Sequence, residues 1–193
     1  MPPAPPVIAL LDACVLYPAV LRDTLLRAAI LGHYRLRWSE AILEELRRSL
    51  VRTGRATESR VQHLIEELTT TFPTAAVLGY EDLTNELTNH PGDRHVLAAA
   101  IKGSASLIVT DNLKHFPRAI LEAHGIEAQR PDRFLSALAE LSPGELTRIV
   151  VEQAADLTHP PLTPAQVLER LKRHAPTFVS ILRQQMREPA DEH

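Results

Sequence analysis

The chain has 193 residues, 45% of them hydrophobic and 23% charged, with a formal net charge of −3. That length and composition support one domain plus an appendage and exclude a chain that is disordered over most of its length. No apolar run approaches the ~18–20 residues that span a bilayer, the opening MPPAPPVIALLDACV lacks a basic start and reads as no secretion signal, and the single Cys14 excludes an internal disulfide and a cysteine-based zinc site. A cytoplasmic protein without membrane contact is expected.

Residues 1–6 are mostly proline and read as a flexible arm. Val7–Leu11 is a short continuous apolar run, the pattern of a buried parallel strand, and it ends in Asp12. A helix is expected around Asp23, which beside Arg22 reads as a helix start near the rim of a site, and Gly32 ends it. Tyr34, Leu36 and Trp38 alternate with Arg35 and Arg37, a strand with one wet face. Ser39 is placed to cap a helix over about 40–52, and a second helix is expected over about 57–70. Ala75–Leu78 looks like a third strand, followed by a short helix near 81–88 and a turn at His90-Pro91-Gly92. From Asp93 a helix carries the stripe Val96, Leu97, Ala100 and Ile101, and Leu107–Thr110 is a strand. A helix ending at Gly125, a last strand over Ile126–Gln129 and a helix from Pro131 to about Leu141 complete the pattern.

Strands alternating with helices argue for an α/β fold with a parallel sheet. After Leu141 the strand signal stops. Ser142-Pro143-Gly144-Glu145 and Thr163-Pro164-Ala165-Gln166 both spell capping boxes, so three helices are expected near 143–157, 164–173 and 177–187. The organisation expected is thus 1–6 arm, 7–141 α/β domain and 142–193 helical extension.

Charge is uneven. Residues 47–60 carry Arg47, Arg48, Arg52, Arg55 and Arg60 against Glu58 alone, whereas Glu81, Asp82, Glu86 and Asp93 face no Lys or Arg over residues 81–93. Arginine suits bidentate phosphate binding.

In an open parallel sheet, ligands bind beyond the carboxyl ends of the strands. Asp12 and Asp111 stand at two such ends, Asp93 begins the helix beside the second, and Glu45 lies in the helix after Trp38. Any one of these reads equally as a helix cap; together they would repel unless a cation lies between them. Oxygen ligands of this kind suit Mg²⁺ or Mn²⁺. On the 40–52 helix, Leu43, Leu46 and Leu50 mark the buried stripe with Ile42 at its edge. At about 100° per residue Glu45 falls nearer that edge than Glu44, which stands one turn from Arg48 as an exposed ion pair. The nine histidines show no metal-ligand spacing. His95, two residues past Asp93, reads as a helix-surface residue or as a contact to phosphate or to the acidic network. There is no glycine-rich phosphate loop or nucleophile elbow, and Asp12-Ala13-Cys14 is not the paired-aspartate signature of a phosphotransferase.

Asp12 in VIALLDACVL, Glu45 in SEAILEELRRSL, Asp93 in GDRHVLAAAI and the segment LIVTDNLKHFP resemble a PIN domain, in the branch of VapC-type toxin ribonucleases with a C-terminal helical extension. The resemblance covers about residues 7–140. It implies a three-layer sandwich of helices around a parallel sheet and an Mg²⁺- or Mn²⁺-dependent endoribonuclease. It further implies an RNA substrate, a neutralising antitoxin and a homodimer. Asp12, Glu45 and Asp93 would hold the metal, with Asn112 and Thr110 completing the polar shell and Arg47, Arg48 and Arg52 meeting RNA. Two positions depart from the pattern. The fourth acidic position, two residues after the strand-end Thr, holds Asn112, with Asp111 one place early. Neighbours on an extended chain point to opposite sides, so Asn112 rather than Asp111 is expected to face the site. Cys14 stands where relatives often carry Asn or Ser; two residues past Asp12 its thiol either faces the site or, as expected, is a small buried hydrophobe. A housekeeping PIN nuclease and an inactive PIN-like module binding RNA or protein remain the alternatives.

Overall fold

The structure, a computed structural model, describes residues 6–187; the proline arm expected over 1–6 lies, apart from Pro6, outside the described residues. In chain order the elements are β1 (Ile8–Leu11), α1 (Ala13–Leu16), α2 (Ala19–Ile30), β2 (Arg35–Arg37), α3 (Glu40–Arg52), α4 (Glu58–Thr71), α5 (Glu81–Thr84) and α6 (Arg94–Lys102). They continue with β3 (Leu107–Val109), α7 (Arg118–Glu122), β4 (Glu127–Gln129), α8 (Pro131–Leu141), α9 (Glu145–Asp156), α10 (Pro164–Leu171) and α11 (Pro176–Gln185).

The chain forms two compact units. The first, the chain up to Pro18 with Tyr34–Gln129, holds one sheet of order β2-β1-β3-β4. Every pairing is parallel, with Ala9 opposite Leu36 and Leu11 opposite Val109. Ala9, Leu10 and Leu11 of the central strand are fully buried, which is why β1 reads as an unbroken apolar run rather than an alternation. On the edge strand the alternation survives: Tyr34, Leu36 and Trp38 are buried and Arg35 is exposed. α6 packs on β1 and β3 with Val96, Leu97 and three alanines buried. The strand order switches from one side of β1 to the other between β1 and β3. There the carboxyl ends of two adjacent strands open a crevice, and Asp12 and Thr110 stand in it.

The expected strand at Ala75–Leu78 is reduced to one bridge, Trp38 with Ala76. The left-handed Gly79 (φ 68°) turns the chain away before more residues can pair. A four-residue helix, α1, follows Asp12 directly and was not foreseen, because four residues are too few to show helical periodicity.

The second unit, Ala19–His33 with the chain from Arg130 on, is helical. α2, although early in the chain, packs with α9 and α10. Gln153 is buried among them with both ends of its amide bonded: the oxygen accepts from Thr24 Oγ1 at 2.9 Å and the nitrogen donates to the Val20 carbonyl at 3.0 Å. Asp23 does not start the helix. It stands in the second turn of α2 and binds Arg27 at 3.1 Å, and Arg27 also reaches Asp156 at 2.6 Å. Thr163 and Gln166 form the expected capping box. The Ser142–Glu145 box does not form: Gly144, left-handed at φ 83°, takes the cap position without a side-chain bond, and the Glu145 carboxylate lies 3.0 Å from His33 Nε2. Asp132 caps α11 by accepting the Phe178 N–H at 3.0 Å.

Candidate active site

Asp12 follows β1, and its N–H donates to the Val109 carbonyl at 3.1 Å, extending the β1–β3 ladder by one bond. That bond sets Asp12 beside Thr110. Thr110 Oγ1 donates to Asp12 Oδ2 at 2.6 Å and accepts the Asn112 N–H at 3.0 Å. Both Asp12 and Asp93 occupy the N-cap position of a helix, yet neither side chain caps it. Capping, the ordinary reason for aspartate there, therefore does not account for either residue.

Their carboxylates line an open pocket of about 770 Å³ with Glu45, Asn112, Cys14, Tyr17, Ser49 and Thr53, and with Arg48 and Arg52 in its wall. Glu45 comes from α3, whose stripe Ile42, Leu43, Leu46 and Leu50 is buried. Glu44, on the other side of that helix, binds Arg47 at 2.7 and 2.8 Å. Arg47 also pairs with Glu58. It is thus held between two carboxylates outside the pocket, whereas Arg48, 3.6 Å from Glu44, and Arg52 line it. Asn112 lines the pocket; Asp111 does not and is exposed.

Asp12 is buried, and burial pushes its carboxyl above the ordinary carboxylate range; the Thr110 and Cys14 hydrogen bonds oppose the rise and the nearby Asp93 charge adds to it. A buried carboxylate with few donors beside like charges is a cation's place. The oxygens of Asp12, Glu45 and Asp93 do not all close to within 4.8 Å of one another, as three mutually repelling charges should not. Burial opposes a proton on His95, but Glu45, whose Oε1 lies 3.5 Å from His95 Nε2, outweighs it with help from Asp12 and Asp93, and the pKa is raised. His95 thus belongs to the acidic network rather than to the outer surface of α6.

Cys14 is not the buried hydrophobe expected. It is partly exposed in the pocket wall, its thiol donates to Asp12 Oδ2 at 3.2 Å, and it accepts the Asp111 N–H at 3.3 Å. Burial first, and the Asp12 charge second, push its pKa up to about 12. Thiol alkylation proceeds through the thiolate. Iodoacetamide should therefore modify Cys14 at neutral pH about a hundredfold or more slowly than a free thiol, and Asp12→Asn should speed it. The rate is read by mass spectrometry.

Two histidines escaped the sequence reading. His90 Nδ1 and His115 Nδ1 lie 3.0 and 2.9 Å from Asp93 Oδ2, and the two rings stack at 4.0 Å between centroids. The turn His90-Pro91-Gly92 and the segment NLKHFP were both visible, but His115 lies 22 residues after Asp93 and only the fold joins them.

The chain matches the PIN domain family model over residues 9–114 and the VapC50 C-terminal domain model over residues 131–184. It is 39% identical over 107 residues to a Mycobacterium tuberculosis protein named "Putative ribonuclease VapC50". The aligned stretch is 55% of this chain and 63% of that relative, so the chain spans less than two thirds of the length of the curated relative it matches. No solved structure gives a significant match. No helix among the described residues is long and apolar enough to cross a membrane.

Proposed function

This chain belongs to the PIN domain family, and on that premise we propose that it is a metal-dependent endoribonuclease, the toxin of a toxin–antitoxin pair, that hydrolyses RNA phosphodiesters with water. One observation carries the reading. Asp12, Glu45 and Asp93, from three separate elements, converge on one pocket whose wall holds Arg48 and Arg52.

The donor set fits a hard divalent cation. All the converging groups offer oxygen, and Asp12 is a buried acid that accepts from the Thr110 hydroxyl and the Cys14 thiol. Asp12, Glu45 and Asp93 would hold the ion, with the Asn112 amide at the same mouth. Mg²⁺ or Mn²⁺, when bound, supplies Lewis acidity that polarises the scissile phosphate and makes water a stronger nucleophile. The chain's own residues do the positioning. Thr110 fixes the Asp12 carboxylate, and His95 holds Glu45 toward the pocket. Arg48 and Arg52, one turn apart on α3, meet the RNA backbone beside the pocket and orient the strand.

The test is cleavage of mixed RNA by the purified chain with Mg²⁺, with Mn²⁺ and with chelator. Cleavage restored by either ion and lost with chelator supports the reading. RNA binding without cleavage under every condition would make the chain an inactive PIN-like module. Within the site, Glu45→Gln should reduce cleavage by about a hundredfold or more, while Glu44→Gln, which frees Arg47 and loosens Arg48, should stay within about twofold. Equal losses would mean that α3 presents the other carboxylate to the metal. Asp111→Ala should be the mild variant beside Asn112→Ala.

A further inference from the structure

We propose that His90, Asp93 and His115 form a second metal site, distinct from the all-oxygen pocket, that takes a borderline divalent ion such as Zn²⁺ in preference to Mg²⁺. Among the described residues, these three are the group whose ligand atoms all lie within 4.8 Å of one another. Two imidazole nitrogens and a carboxylate are the donor set of open zinc sites, whereas Mg²⁺ prefers oxygen alone.

The geometry itself asks for a cation. His90 Nδ1 lies 3.0 Å from Asp93 Oδ2 and 3.2 Å from the Gly92 N–H, which donates to it. One ring nitrogen carries a proton or a lone pair, never both. If it accepts from Gly92, it turns a lone pair on a carboxylate oxygen; if it donates to Asp93, the Gly92 N–H faces another hydrogen. His115 Nδ1 converges on the same oxygen from the stacked ring. With a metal ion among the three atoms, both Nδ1 lone pairs and Asp93 Oδ2 face one cation instead of one another, and the Gly92 N–H gives up its bond to His90. The turn is built to hold it there: Pro91 fixes the backbone between His90 and Asp93, the Asp93 N–H donates to the His90 carbonyl at 2.9 Å, and the His90 N–H donates to the His115 carbonyl at 3.4 Å. Both histidines are partly accessible, with side-chain exposures of 52% and 22%, so an ion can enter from solvent.

Asp93 also lines the acidic pocket, and a carboxylate has two oxygens. An ion on its Oδ2 side fixes the orientation of the other oxygen, so the two sites share one residue.

Zinc binding needs no RNA and no cleavage, so its outcome is independent of the nuclease reading. Calorimetric titration of the metal-free chain with Zn²⁺, in a buffer containing excess Mg²⁺, should show one tight site. His90→Asn and His115→Asn should each lose it, and Asp12→Asn should keep it. Diethyl pyrocarbonate footprinting of the wild-type chain removes any dependence on whether a variant folds. One equivalent of Zn²⁺ should protect His90 and His115 and leave the other described histidines as reactive as before. Absence of tight zinc binding, undiminished binding by either folded histidine variant, or zinc that protects other histidines instead overturns the site.

Discussion

Asp12→Asn should reduce metal-dependent RNA cleavage by about a hundredfold or more and at the same time raise the stability of the metal-free chain at neutral pH. Groups that merely orient metal ligands are worth about tenfold to a hundredfold, so loss of a ligand should cost at least the upper figure. The stability change follows from the site's electrostatics. Burial and the Asp93 charge raise the Asp12 pKa in the folded chain above its ordinary value of 3.8. A carboxyl raised by folding binds its proton more tightly in the native than in the unfolded state. Its contribution is fully present below the unfolded pKa and is lost as pH rises through the folded one. At neutral pH the wild type therefore carries a buried charge that Asn lacks, while the amide oxygen still accepts from Thr110. The stability advantage of Asp12→Asn should shrink as pH falls toward 3.8, and Mg²⁺ or Mn²⁺ should shrink it at neutral pH by stabilising the wild type alone. Thermal melts across pH, with and without the ion, measure both. A variant that cleaves at the wild-type rate removes Asp12 from the site; one that melts lower at neutral pH with cleavage lost makes it a structural residue.

Part of this arrangement was legible because local physics enforces it. A strand buried on both faces must be apolar throughout, so β1 declared itself and placed Asp12 at its end. The 3.6-residue period sorted Glu45 from Glu44 before any coordinates, and the observed sides of α3 agree with that phase. The period of two set Asn112 and Asp111 on opposite sides, and Asn112 lines the pocket. The unforeseen features are nonlocal. Nothing in the neighbourhood of Ala19–Ile30 says that this helix packs with segments more than a hundred residues later; it reads as one more amphipathic helix. The role of Cys14 depends on Thr110 and Asp12 arriving around it. His90 and His115 meet at Asp93 only because the chain returns past the α6 N-terminus after β3, and residue spacing records no such return. Arg47 was misplaced for a simpler reason. A cluster of arginines suggests phosphate, but close bonds to Glu44 and Glu58 hold Arg47 outside the pocket.

Expression of the wild-type chain without a neutralising partner should arrest growth, and Asp12→Asn should relieve the arrest at equal protein level. The argument runs from the pocket outward. It is open, about 770 Å³ in volume, with acids at its base and Arg48 and Arg52 in its wall. The pocket opens to solvent, so unstructured RNA can reach the acids, and a free enzyme would cut what the cell needs. The same acids attract a guanidinium, which binds carboxylates through two parallel hydrogen bonds. A partner peptide with one well-placed arginine would seat among Asp12, Glu45 and Asp93 and exclude the metal. A small protein encoded beside this chain should therefore form a stable complex with the wild type and suppress cleavage, and excess Mn²⁺ should partly restore it by competing for the same carboxylates. Growth curves, co-purification and cleavage assays of the complex check these in turn. If the wild type accumulates harmlessly while cutting RNA in the test tube, the toxin reading fails and the chain is a housekeeping nuclease, because the chemistry of the pocket would be intact and only its targets would be harmless.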